Sequence, residues 1–105
     1  MKILFDQGTP WPLRRFLTGH IVHNAFRQGW SELENGDLLK AAEEAGYDLF
    51  ITTDQNLRYQ QNLTDRKLAI LVLLSTSWPR IRPHGESIAH AVNEMTAGDY
   101  AEVEI

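Results

Sequence analysis

Ile3-Leu4-Phe5-Asp6-Gln7 and Leu49-Phe50-Ile51-Thr52-Thr53-Asp54-Gln55 are two apolar runs that close on the same Asp-Gln pair. A short run rich in Ile, Leu and Phe, with a helical pattern after it, reads as a strand buried on both faces. Parallel sheets flanked by helices need such strands. An Asp at the carboxyl end of a parallel strand stands where open α/β sheets place their ligands. The two runs therefore suggest both a fold class and a site.

Working outward, strand one spans Lys2 to Phe5, and Thr9 with Pro10 opens a helix carrying Leu13, Phe16 and Leu17 on one face before Gly19. His20 to His23 is a short second strand, and Asn24 to Trp30 is a helical turn ended by Gly29. Asn35 is placed to cap a helix that has Asp37 in its first turn and stops at Gly46. Strand three follows from Asp48 to Thr52, a short polar helix from Asn56 to Leu63, and strand four from Leu68 to Leu74. Trp78 to Pro83 reads as a loop bracketed by prolines, and a last helix runs from Glu86 to Ala97. Tyr100 to Ile105 alternates polar and apolar residues, the pattern of a half-buried edge strand. The alternation of strands and helices predicts one α/β domain over residues 1–105, a three-layer α/β/α sandwich on a mainly parallel sheet.

Composition narrows the function classes. Zero cysteines exclude disulfides, thiolate catalysis and Cys-based zinc sites. The apolar runs are strand length, far short of a membrane span, and no signal-peptide pattern follows Lys2, so a cytoplasmic, non-membrane protein is expected. A net charge of −4 gives no global basic field for nucleic acid. The cations nevertheless gather after strand ends and in loops, at Arg14 and Arg15, Arg58, Arg66 and Lys67, and Arg80 and Arg82.

If strands one and three are neighbours, Asp6, Asp54 and the helix-opening Asp37 converge at one sheet edge. Mg²⁺ and Mn²⁺ favour oxygen ligands and are held by one or two carboxylates with substrate phosphate. Phosphodiester hydrolysis is the chemistry such a site supports. Asp54 also fits the plain role of capping the helix that follows it. Glu32 and Glu34 read as a solvated loop, and His20 with His23 would face opposite sides of a strand. Ser75, Thr76 and Ser77 read as turn residues, and Trp11, Trp30 and Trp78 as core packing before base stacking.

In Ile3–Gln7, Asn35-Gly36-Asp37-Leu38-Leu39, Phe50–Leu57 and the strand Leu68–Leu74, the chain resembles the PIN-like superfamily, in particular its short single-domain branch. The resemblance runs from residue 1 to 97 and lies in the order and spacing of these segments. It implies a ribonuclease dependent on Mg²⁺ or Mn²⁺, with Asp6, Asp37 and Asp54 as the catalytic, metal-holding acids. Gln7, Asn56, Arg58 and Arg14 then become candidate substrate-binding residues. Many relatives resemble toxins neutralised by a small antitoxin protein, which makes RNA and an antitoxin the expected partners. The chain departs from the pattern at Asn56, where active relatives often carry a further acid. That departure gives an alternative, a catalytically degenerate protein-binding module whose final strand could also pair two copies into a homodimer. A phosphoryl-accepting receiver is the third reading; it lacks an acidic pair after strand one and a lysine beyond Lys67.

Overall fold

Five parallel strands form one sheet in the order β2-β1-β3-β4-β5. They are β1 (Lys2–Phe5), β2 (Ile21–Asn24), β3 (Leu49–Thr52), β4 (Ala69–Leu73) and β5 (Tyr100–Val103). The computed structural model describes residues 1–60 and 66–105. β1 pairs with β2 through Leu4 opposite His23, and with β3 through Leu4 opposite Phe50. Strands one and three are thus neighbours, and the two Asp-Gln junctions leave the sheet side by side.

The three inner strands are buried on both faces because successive side chains point to opposite sides. Ile3, Phe5, Leu49, Ile51, Leu71 and Leu73 join one cluster with Leu13, Leu17, Ile81, Ile88 and Val92. Leu4, Phe50, Ile70 and Val72 join another with Leu38, Leu39, Ala42 and Leu57. Helical segments therefore cover both faces, an arrangement compatible with an α/β/α sandwich. α1 (Asn35–Glu44) and α2 (Leu57–Gln60) belong to the second side; α3 (Trp78–Ile81) and α4 (Gly85–Glu94) belong to the first.

Several local expectations change. The Thr9-capped helix is a 3₁₀-helix, Trp11–Phe16, with Pro10 at its cap position and no side-chain cap bond. Pro12 stands in its first turn, where a missing N–H costs nothing, and the Thr9 hydroxyl expected to cap it lies against Asp6 and the Ile51 carbonyl. The second strand begins at Ile21, one residue after His20. Residues 25–29 form turns, with no helix, and Gly29 takes φ +79°. Asn35 is the first helical residue, with Glu34 at the cap.

The expected loop from Trp78 to Pro83 is α3 followed by a 3₁₀ turn, Arg82–His84. Both prolines stand in first-turn positions, where a missing N–H costs nothing. The expected helix from Asn56 is described over Leu57–Gln60, and its continuation to Leu63 lies outside the described residues. Among the described residues no helix is long and apolar enough to cross a membrane.

Candidate functional site

Because all five strands run the same way, their carboxyl ends share one edge, and Asp6 leaves that edge directly from β1. Its backbone N–H still bonds the Ile51 carbonyl of β3 at 3.2 Å, so the junction stays attached to the sheet. The turn Asp6-Gln7-Gly8-Thr9 then folds over the carboxylate. Oδ1 accepts the Thr9 N–H at 3.0 Å and lies 2.7 Å from the Thr9 hydroxyl. That hydroxyl is also 2.8 Å from the Ile51 carbonyl, so its single proton is shared between two acceptors. This is why Thr9 is buried at 5% exposure and is no helix cap.

Gly8 belongs to the same turn and lies close against the Asp6 carboxylate. A Cβ there would stand 2.6 Å from Thr53 Oγ1, so only glycine fits beneath this carboxylate without displacing a half-fixed, β-branched neighbour.

Thr52 links the two Asp-Gln junctions. Its hydroxyl accepts the Asp54 N–H at 3.0 Å and therefore directs its own proton to Asp6 Oδ2. Asp54 Oδ1 accepts the Asn56 N–H at 3.0 Å, closing the turn that precedes α2, whose first helical residue is Leu57. Its Oδ2 accepts from Asn35 Nδ2 at 2.7 Å. A bonded chain thus runs Asp6–Thr52–Asp54–Asn35 across β1, β3 and the amino end of α1. Burial pushes the Asp6 carboxyl above its ordinary value, and the hydrogen bonds from Thr52 and Thr9 pull partly the other way.

Asp37 lies on the exposed first turn of α1, two residues beyond Asn35, and makes no hydrogen bond or ion pair among the described residues. Among those residues no group of three or more His, Asp or Glu side chains is gathered round a common point where an ion could sit, so Asp37 does not join Asp6 and Asp54 in a three-acid cluster. Gln7 is exposed and donates through Nε2 to the Ser31 carbonyl at 3.0 Å. Arg14 lies over the Trp11 ring at 4.7 Å. Arg58 turns the other way, stacking on Tyr59 at 4.7 Å and pairing with Glu102 of β5 at 3.5 Å.

Beside Asp6 opens a cleft of about 510 Å³ walled by Gln7, Thr9, Trp11, Phe26 and Trp78. Sequence reasoning reached Asp6, Gln7 and Asp54 but missed Thr52, Gly8, Thr9 and Phe26. One local signal was available: two threonines closing an otherwise apolar strand just before Asp54. Searches of protein-family models, curated proteins and solved structures returned no match to this chain.

Proposed function

We propose that this chain is a ribonuclease of PIN-like type, dependent on Mg²⁺ or Mn²⁺, on a three-layer α/β/α sandwich with β5 as its edge strand. The observation that carries the reading is the bonded chain from Asp6 through Thr52 and Asp54 to Asn35. It fixes two carboxylates from adjacent parallel strands at the edge where such sheets bind ligands. The donor chemistry fits a hard cation, since every candidate group offers oxygen and the chain has no cysteine. Asp6 and Asp54 would hold the ion, with water completing its shell, and Asp37 is the third acid of the reading. When bound, the ion would acidify water and offset charge on a scissile phosphate. Thr52 aims its proton at Asp6 and so keeps that carboxylate in one orientation, while Asn35 does the same for Asp54. Gln7 and Arg14 lie by the cleft and would bind the RNA backbone, with Asn56 beside Asp54. Arg58, already paired with Glu102, is the weaker candidate. A cytoplasmic toxin neutralised by an antitoxin protein is the biological form of this reading.

Calorimetric titration with Mn²⁺, run beside cleavage of labelled RNA, tests it. Binding in the wild type should vanish in Asp6→Asn and Asp54→Asn, and cleavage should fall by about 100-fold or more. Absence of binding at millimolar Mn²⁺, or unchanged binding in Asp6→Asn, overturns it.

A second reading is supported by the donors already on Asp54, one to each oxygen, and by Asn56 in place of a further acid. A degenerate module would fold normally, cleave nothing and form a stable complex with a protein partner or with itself.

A further inference from the structure

The metal reading leaves the aromatic side of the cleft without a task. Trp11 stands edge-on to the buried Phe5 at 5.9 Å, and Trp78 tilts against Phe16 at 6.4 Å. Phe26, in the turns after β2, is instead 71% exposed. A solitary exposed phenylalanine needs no explanation. One that shares a cleft with two tryptophans and a desolvated carboxylate does.

A second cleft of about 540 Å³ lies on the other side of Trp78, which lines both, and is walled by Phe16 and Arg82. Charge is divided in a matching way. Residues 11–16 and 78–84, which flank the two clefts, carry Arg14, Arg15, Arg80 and Arg82 and no acid. Residues 30–46 carry Glu32, Glu34, Asp37, Glu43 and Glu44 against Lys40 alone. Of these cations, Arg14 lies over the Trp11 ring and Arg82 lines the second cleft, whereas Arg80 reaches the Ile105 carbonyl. Arg82 is exposed and enters no ion pair among the described residues.

We propose that the Trp11–Phe26–Trp78 cleft is a base-binding subsite for single-stranded RNA, the strand continuing over Trp78 to a phosphate contact at Arg82. The proposal rests on the reading that the Asp6 edge works on RNA, and it names the form of RNA and its direction of approach. An exposed ring offers a stacking face to any base, while arginines track the backbone. A paired base keeps its faces stacked inside the duplex, so this cleft selects unpaired strands. The Asp6 charge on the cleft wall would repel phosphate in the absence of a cation, so binding is best read where that charge is removed.

The test is fluorescence anisotropy of a short labelled oligouridylate with Asp6→Asn protein in EDTA, with a labelled RNA duplex as comparison. Asp6→Asn should bind the single strand and disfavour the duplex. Adding Phe26→Ala should weaken binding about ten-fold, the scale of one stacked base. Adding Arg82→Ala should weaken it and lower the slope of log affinity on log salt by about 0.7, the value for one phosphate contact on a single strand. Ile21→Ala, exposed at 60% at the amino end of β2 and away from the cleft, should change nothing. No binding to the single strand, preference for the duplex, or unaltered affinity in Phe26→Ala and Arg82→Ala would overturn the subsite. Phe26-dependent binding with no Mn²⁺-dependent cleavage in the wild type would overturn the metal reading and uphold the subsite. Wild-type cleavage unaffected by Phe26→Ala would overturn the subsite alone.

Discussion

Asp6 is held by donors from Thr52 and Thr9, yet burial still raises its carboxyl above the ordinary range. Desolvation disfavours the charged form more than these hydrogen bonds favour it. The native state then binds the Asp6 proton more tightly than the unfolded chain does. Its contribution to stability is full below the unfolded carboxyl pKa and is lost as pH rises through the higher folded value. At neutral pH the ionised group is a cost that the fold carries, as functional sites often do. Asp6→Asn should accordingly match or exceed the wild type in melting temperature at neutral pH, and the difference should shrink on acidification. Melts followed by circular dichroism across the acid-to-neutral range check this. A variant less stable than wild type at pH 7, with a gap that closes towards acid, would contradict the assigned direction. The residue types at this scale were legible in the sequence: an Asp ending each of two strands. Their unequal surroundings were not. Gly8 and Thr9 enclose Asp6, whereas Asp54 closes a turn onto Asn56, and that difference depends on contacts from Ile51 and Thr52 across the sheet.

Helix α1 shows what an element adds to a residue. Its side chains Leu38, Leu39 and Ala42 pack under the sheet, which fixes where its amino end lies. Asn35 then reaches Asp54 from the first position of the helix, leaving the cap at Glu34 without a side-chain bond. A local cap was exchanged for a tertiary hydrogen bond to a carboxylate. Such charge-assisted bonds contribute about 1.5–3 kcal/mol when well sheltered. Both partners here are only half-buried, so Asn35→Ala should cost about 1 kcal/mol, measured by urea denaturation. If Asp54 holds a cation, the same variant should weaken Mn²⁺ binding by about ten-fold, the usual effect of removing a group that orients a ligand. Strands were the most readable elements because their apolar runs are local and continuous. The segment from Trp78 to Pro83 was not, since Pro79 and Pro83 mark a loop and a helix start equally well. Burial of Ile81 against the sheet selects the helix.

Across the whole molecule, two side-chain clusters share one set of central strands, and β4 stands between β3 and β5 with every residue buried. Leu71 is fully buried at the middle of that strand. Leu71→Ala should cost about 2–5 kcal/mol, from lost transfer energy and the cavity left behind. In a domain of this size each kcal/mol lowers the melting temperature by roughly 4–8 °C, so a drop of more than about 10 °C is expected. Ile21→Ala, on the exposed outer strand, should shift it far less. The sequence by itself determined the α/β class, the parallel strands and the acids at their ends, because each follows from hydrophobic pattern within a few residues. Only the tertiary structure decided which groups share a site. Parallel strands are joined by crossovers, so Trp11, Phe26 and Trp78 meet beside Asp6 from distant parts of the chain. The same crossovers send Arg58 to Glu102 and bring Asn35 to Asp54, since packing against the sheet, and no local pattern, sets where each helix ends.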